Sequence, residues 1–146
     1  MPVLSPHDLL LRLCAVAMLV SESAIAQAYA AAVLADLARR SVRNKKQILI
    51  EQGIHPLVAL LAKEKLPKAK AEGAGALMSL ASGQPETQRL VAENGAIKLL
   101  VAILHEDDGY ARKKASGAIA ALCDGSTDNQ DAVERNKGIA KLVSLL

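Results

Sequence analysis

The stretch AGALMSLASGQPETQRLVAENGAIKLLVAIL, Ala74–Leu104, recurs forty-two residues later as SGAIAALCDGSTDNQDAVERNKGIAKLVSLL, Ser116–Leu146. The phrases LVALL, LVAIL and LVSLL begin at Leu57, Leu100 and Leu142, at offsets of 43 and 42 residues. Such a frame is typical of a solenoid, in which stacked units bury apolar faces that a single unit cannot bury alone. The 146 residues of the chain accommodate about three and a half such units.

The apolar pattern inside each unit is helical. Leu57, Leu60 and Leu61 share one helical face, and no segment alternates between apolar and polar residues as a strand would. Gly83 and Gly125 close the long apolar segments, as expected for left-handed residues that end helices. The pattern predicts first helices at about 44–52, 85–94 and 128–136, second helices at 54–63, 96–106 and 138–146, and third helices at 22–40, 67–82 and 110–124. Residues 7–20 fit the second helix of an incomplete first unit.

Polar residues and prolines predict where the helices begin. Pro67 and Pro85 suit the first turn of a helix. The expected N-caps are Asn44 and either Thr127 or Asp128, because short polar side chains accept hydrogen bonds from the first free N–H groups.

Glycines predict the turns between first and second helices. Gly53 and Gly95 are 42 residues apart and are aligned on that basis. This alignment leaves the 53–57 stretch one residue short, and it places Lys137 where the last unit would have glycine.

Four phrases carry a resemblance to a known family: NGAIKLLVAIL (Asn94–Leu104), EQGIHPLVALL (Glu51–Leu61), GALMSLASG (Gly75–Gly83) and GAIAALCDG (Gly117–Gly125). They resemble the armadillo repeat, whose three-helix units stack into a right-handed superhelix. The resemblance implies an all-α fold, a right-handed α-solenoid of about three and a half armadillo repeats. It implies one domain, 1–146, with units at about 7–43 (partial), 44–83, 84–125 and 126–146 (partial).

The resemblance also implies that the third helices line a concave groove that binds extended peptides. Importin-α-like members carry a Trp and, four residues later, an Asn on these helices. Here the Trp-equivalent positions hold Ala32, Gly75 and Gly117, and the Asn-equivalent positions hold Asp36, Ser79 and Ala121. A nuclear-localisation-signal receptor of that type is therefore disfavoured, and the resemblance implies a scaffold or adaptor.

Helix phase predicts the residues that line this groove. They are Tyr29, Ala32, Asp36, Arg39, Glu72, Gly75, Ser79, Lys113, Lys114, Gly117 and Ala121. Lys113 and Lys114 are suited to an acidic peptide, and the alternative is that both are ordinary solvated charges at a helix start. The small residues allow close approach of a peptide backbone, or they reflect tight helix packing.

Self-association is the alternative function, because apolar residues occur at both ends of the stack. They are Leu9, Leu10, Leu13, Val16 and Val20 at one end and Leu142, Val143, Leu145 and Leu146 at the other. Terminal repeats without polar caps tend to pair. A homodimer of a solenoid fragment with no ligand of its own is the prediction of this alternative.

Composition bears on other classes of partner. The net charge is +3, with basic runs at Arg39–Lys46 and Lys63–Lys70, but only 1% of residues are aromatic and none is Trp. Nucleic-acid binding is therefore disfavoured, because few rings are available for base stacking.

Catalytic and metal-binding patterns are missing from the sequence. His7, His55 and His105 fall in different units, and neither phosphate-binding glycine motif, GxxxxGK[ST] or GxGxxG, occurs. HEDDG (His105–Gly109) is interpreted as a polar turn rather than a metal site. We expect no catalytic residue, no metal and no cofactor, and hence no enzyme.

The cysteines and the N-terminal segment bear on the compartment. Cys14 and Cys123 lie in apolar helical context, as reduced thiols of a reducing compartment would. Leu9–Val20 is similar to a secretory signal, but no Lys or Arg precedes it, Arg12 interrupts it and it is too short to span a bilayer. The sequence favours the cytoplasm, with the nucleus as the alternative, and disfavours secretion and a membrane span.

Overall fold

A computed structural model describes residues 23–146 of the chain together with Ala17. Within this part the chain is helical, with turns between helices and no β-strand, so the predicted all-α class is confirmed. The helices are α1 (Ala24–Arg40), α2 (Val42–Ile50), α3 (Ile54–Ala59), α4 (Pro67–Ala81), α5 (Pro85–Glu93), α6 (Ala96–Ile103), α7 (Gly109–Cys123), α8 (Thr127–Arg135) and α9 (Gly138–Ser144). Of the helix expected at 7–20, the described residues include only Ala17, which is helical.

The predicted bounds hold to within two residues for the first and third helices of each unit. The second helices end two to four residues earlier than predicted. At the end of α3, the N–H groups of Leu61 and Ala62 bond to carbonyls only three residues back, at Val58 and Ala59. This tighter turn ends the regular helix although the apolar pattern continues.

Each first and third helix begins with either a capping side chain or a proline. Pro67 and Pro85 occupy the first turns of α4 and α5, as predicted. At the remaining starts, a side-chain oxygen accepts a hydrogen bond from the N–H three residues along the chain. The capping residues are Ser23, Ser41, Asp108 and Ser126.

The N-caps predicted from sequence are wrong. Asn44 and Asp128 lie inside α2 and α8, and Thr127 is the first residue of α8, because serine hydroxyls cap these helices from positions 41 and 126. Asn44 instead donates from Nδ2 to the carbonyl of Leu37 at 2.9 Å, which ties the first helix of its unit to the preceding third helix.

The turn between first and second helices has a left-handed residue in every described unit. Gln52 (φ 58°), Gly95 (φ 83°) and Lys137 (φ 62°) hold this position. The alignment of Gly53 with Gly95 is therefore wrong by one residue, and no residue is missing from the 53–57 stretch. Gly53 begins α3 at a crowded point, because a Cβ there would lie 2.7 Å from Ile48 Cγ2.

The third helices α1, α4 and α7 pack side by side in one layer, and the second helices lie against them. One continuous apolar core fills the space between these layers. Its largest fully buried side chains are Leu34, Ile48, Leu57, Leu60, Leu61, Leu77, Leu80, Leu100, Ile103, Leu104 and Leu122. Each such residue contributes about 1.5–3 kcal/mol by leaving water, so the repeated leucines hold adjacent units together.

Polar side chains also join the first and third helices within a unit. Buried Gln88 donates from Nε2 to the carbonyls of Ala121 and Asp124 at 2.9 and 3.0 Å. One unit earlier, Lys45 Nζ donates to the carbonyl of Ser82 at 2.9 Å. These bonds satisfy carbonyls at the ends of the third helices, which have no partner within their own helix.

Part of the basic run Lys63–Lys70 is buried. Lys70 Nζ lies 2.6 Å from Glu106 Oε1 and donates to the carbonyl of Lys63 at 3.0 Å. Arg112, one unit later, donates from Nη1 to the carbonyl of Glu106 at 2.8 Å. Both cations therefore hold the turns that follow second helices, and Lys70 is also paired with a carboxylate.

Candidate functional site

The repeat frame brings equivalent residues of the third helices into two rows. Ile25, Lys68 and Tyr110 form the first row, near the helix starts. The second row, one helical turn further on, contains Tyr29, Glu72 and Lys114. Residues four positions apart on a helix face the same side, so the two rows share one surface of α1, α4 and α7.

Contacts between these rows connect all three helices. Lys68 Nζ of α4 lies 5.4 Å from the ring centroid of Tyr29 on α1. The Tyr110 hydroxyl of α7 donates to Glu72 Oε1 of α4 at 3.0 Å. Lys114 Nζ lies 5.5 Å from the ring centroid of Tyr110. We call these five residues the tyrosine–lysine ladder.

Tyr110 remains a hydrogen-bond donor well above neutral pH. Partial burial raises the pKa of its phenol, and the hydrogen bond to Glu72 and the negative charge of that carboxylate raise the pKa further. The neutral hydroxyl therefore stays bound to Glu72, whose Oε1 is already occupied.

The ladder lysines lack carboxylate partners. Within the described residues, neither Lys68 nor Lys114 has a carboxylate oxygen within 4.0 Å. The other carboxylate on these helices, Asp36, is 3.2 Å from Arg39 and 2.9 Å from Arg40. The ladder therefore offers two ammonium groups that are held only by tyrosine rings.

The small residues of the third helices form the floor beside the ladder. A Cβ on Gly75 would lie 3.5 Å from Lys114 Cδ, so the lysine stem rests on the helix backbone. Ser79 is buried and donates to the carbonyl of Gly75 at 3.0 Å. Met78 covers Gly117, since a Cβ there would lie 2.6 Å from its sulfur.

The remaining residues of the predicted groove have different exposures. Ala32 and Ala121 are half-buried on the third helices. Lys113 is exposed, but Ala28 and Ala71, which hold the equivalent positions, are buried between adjacent third helices. Lys113 therefore lies on the flank of α7 that turns away from α4, outside the ladder.

Sequence reasoning missed two ladder residues, Lys68 and Tyr110. The available signal was their position, four residues before Glu72 and Lys114 and therefore on the same face. The contacts across the helices could not be read from the sequence, because they depend on how far α1, α4 and α7 are offset along their axes.

A second surface feature lies between α5 and α8, where a hollow of about 690 Å³ opens. Ala92 and Ala132 leave this space because their side chains are small. Of the two arginines at its edge, Arg89 is bound by Glu86 at 3.1 Å and Glu93 at 2.6 Å, whereas Arg135 has no ion pair within the described residues. No tyrosine ring lines the hollow, so it is a weaker candidate than the ladder.

The two histidines that the structure describes do not form a catalytic arrangement. His55 and His105 are exposed in different units. In the described part of the chain, no three His, Cys, Asp or Glu side chains gather where they could hold a metal ion. In HEDDG, Asp108 caps α7 and Glu106 binds Lys70, in accord with the interpretation of this segment as a turn.

Cys123 is a half-buried free thiol, and burial raises its pKa.

Comparison with known proteins identifies the fold. No family model and no curated protein matches the chain. Among solved structures, an engineered protein matches 92% of this chain and 54% of its own length, at 30% identity and a TM-score of 0.86. A designed armadillo repeat protein in complex with the peptide (KR)4 matches 92% of this chain and 56% of its own, at 25% identity and a TM-score of 0.83. The armadillo-repeats-only protein of Plasmodium falciparum matches 99% and 70%, at 18% identity and a TM-score of 0.81.

The resemblance to the armadillo repeat family is therefore confirmed, and the described residues have the fold of an armadillo-repeat α-solenoid. It spans about half the length of the engineered and designed structures named above. Among the described residues, no helix is both long enough and apolar enough to cross a membrane.

Proposed function

We propose that the chain is a non-catalytic module that binds an extended peptide, or such a segment of a partner protein, along the third-helix face of α1, α4 and α7. The tyrosine–lysine ladder is the observation that carries this proposal. It gathers two rings, two ammonium groups and one carboxylate from three successive helices on one exposed face. A scaffold or adaptor in the cytoplasm or nucleus fits this surface.

A neighbour among the solved structures further supports a peptide as the ligand. The designed armadillo repeat protein described above was solved with a bound peptide. Because Lys114 and Met78 cover Gly75 and Gly117, a peptide here would contact these side chains rather than the helix backbone. Binding here needs neither a metal nor a cofactor.

A groove-blocking variant tests the proposal. A phage-displayed library of random dodecamers is selected on the wild-type chain, and the enriched peptides are titrated against Ala121→Trp and Ala102→Trp. Ala121 lies half-buried on a third helix, whereas Ala102 is an exposed residue of the second helix α6. We expect the first variant to lose at least tenfold in affinity and the second to match the wild type. Equal binding to both variants would refute the use of this face.

Self-association is a second candidate, favoured by the exposure of apolar residues on α9. Val143 is 63% exposed, whereas its equivalents Val58 and Val101 are buried. Ile139, Leu145 and Leu146 are likewise exposed, and Leu142 is half-buried. A second copy of the chain would cover this face. The other predicted end, Leu9 to Val20, lies outside the described residues.

A further inference from the structure

We propose that the ligand of the tyrosine–lysine ladder is an acidic extended segment, with carboxylates that pair with Lys68 and Lys114. This inference rests on the proposed function, because it names the chemistry of the peptide that the same face would bind. It differs from the basic peptide (KR)4 of the designed structure.

The charges of the third helices support an acidic ligand. Basic residues outnumber acidic ones on α1, α4 and α7: they are Arg39, Arg40, Lys68, Lys70, Arg112, Lys113 and Lys114, against Asp36 and Glu72. Asp36 is bound by two arginines and Glu72 by Tyr110. Lys70 and Arg112 are bound to carbonyls of the chain itself. The cations left on the ladder are therefore Lys68 and Lys114.

Both lysines are held in place before a ligand arrives. Each ammonium lies over a tyrosine ring, and the stem of Lys114 also rests on Gly75. A carboxylate that approaches from solvent can accept a hydrogen bond while the ammonium stays on its ring. Because less side-chain freedom is lost on binding, each contact is stronger than one to a freely rotating lysine.

The two lysines also fit one extended strand. They lie on adjacent helices, about 8–10 Å apart between axes, and one helical turn apart along them, about 5.4 Å. The backbone positions are thus separated by roughly 10 Å, which an extended chain covers in about three residues. Acidic residues two to four positions apart can therefore reach both ammonium groups.

An acidic peptide fits the ladder better than a nucleic acid does. Single-stranded nucleic acids bind through aromatic faces on which bases stack. Lys68 and Lys114 each lie over a tyrosine ring, and within the described residues the chain has no other aromatic side chains than Tyr29 and Tyr110. Carboxylates need only the ammonium groups of Lys68, which is exposed, and Lys114, which is half-buried.

Fluorescence anisotropy with defined probes tests the inference. Labelled octaglutamate, (KR)4, (Gly-Ser)4 and a dodecamer of deoxythymidine are titrated with the wild-type chain and with Lys68→Met, Lys114→Met and the double variant. Lys98→Met, at an exposed lysine of α6, is the matched control. We expect octaglutamate to bind most tightly. Each ladder substitution should weaken it about fivefold and the double variant more than twentyfold, with no change for the control.

The methionine stems keep the packing on Tyr29 and Gly75, and unchanged thermal unfolding verifies that the variants fold. If the ladder variants bind octaglutamate as the wild type does, the acidic inference is wrong. If Ala121→Trp still abolishes binding of the selected dodecamers, the proposed function stands without the acidic ligand. If it does not, both the proposed function and the acidic inference are wrong. Tighter binding of the deoxythymidine probe than of octaglutamate overturns the inference in favour of a nucleic acid.

Discussion

At the scale of single residues, side-chain pairing determines which charges the third-helix face presents to a ligand. Glu72 is already bound, whereas the two ladder lysines are not paired with a carboxylate. The Tyr110 hydroxyl binds Glu72, and its ring lies beside the ammonium of Lys114. A change in this hydroxyl therefore alters both the charge and the geometry of the ladder.

The substitution Glu72→Gln should lower the pKa of Tyr110 towards the ordinary value of about 10. The carboxylate acceptor and its charge are lost, whereas burial, the largest cause, persists, so the fall is partial. Alkaline difference spectroscopy in a Tyr29→Phe background measures this single phenol. An unchanged pKa would contradict the contact between Glu72 and Tyr110.

The same pKa predicts how stability depends on pH. Because the folded-state pKa of Tyr110 is raised, its contribution to the free energy of unfolding is fully present below the unfolded value, about pH 10. It is lost as the pH rises through the raised value. Urea unfolding between pH 9 and 12 should show a smaller alkaline loss for Tyr110→Phe than for the wild type, and equal losses would count against the raised pKa.

At the scale of secondary-structure elements, the turn between first and second helices imposes the same backbone conformation on three different residues. Gln52, Gly95 and Lys137 are all left-handed. Glycine adopts this conformation without strain, whereas other L-residues pay about 1–2 kcal/mol. The repeat thus tolerates a residue with a strained backbone at this turn because the helices on either side are well packed.

Replacing the strained residues by glycine should stabilise the chain. We expect Gln52→Gly and Lys137→Gly each to raise the free energy of unfolding by up to about 1 kcal/mol, and Gly95→Ala to lower it by about 1 kcal/mol. Urea denaturation monitored by circular dichroism measures all three. Destabilisation by both glycine substitutions would show that the left-handed assignment is wrong.

The hydrogen bonds of Gln88 should contribute to the coupling between the first and third helices of its unit. Gln88→Ala leaves two carbonyls at the end of α7 without this donor and should cost about 2–3 kcal/mol. Gln130, the exposed equivalent in the last unit, is the matched control, and Gln130→Ala should change stability by less than about 0.5 kcal/mol. Equal effects in thermal unfolding would contradict a bridging role for Gln88.

At the scale of the whole molecule, the units share one core but differ in how completely they are covered. Ile97 and Val101 of α6 are buried, whereas their counterparts on α9, Ile139 and Val143, are exposed. An exposed apolar face favours association with a second copy.

The mass of the chain in solution should therefore rise with protein concentration. Light scattering coupled to size-exclusion chromatography measures it across a hundredfold range. Val143→Lys should return the mass to that of a monomer, because a charge on the shared face opposes its burial. A wild-type mass that stays monomeric at all concentrations would rule out association through α9.

The sequence predicts the all-α fold class, the repeat frame and most helix bounds. It does so because the leucine spacing and the glycines that end helices are local signals that recur from unit to unit. It fails where two local signals compete. Ser41 rather than Asn44 caps α2, and the left-handed turn residue is Gln52 although Gly53 is its neighbour.

For the candidate site, the sequence predicts three of the five ladder residues, Tyr29, Glu72 and Lys114, but not the contacts that join them across the helices. Lys68 of α4 contacts Tyr29 of α1, and the two residues are 39 positions apart in the sequence. Whether such side chains meet depends on the axial offset of packed helices, which no local pattern encodes.

Chemical-shift mapping tests the central claim, that the third-helix face binds an extended peptide. The isotope-labelled chain is titrated with the highest-affinity dodecamer from the phage selection and with octaglutamate. The account predicts that the shifted amides cluster on α1, α4 and α7 around Tyr29, Lys68, Glu72, Tyr110 and Lys114. Shifts confined to the hollow between α5 and α8, or no shifts with either peptide, would contradict it.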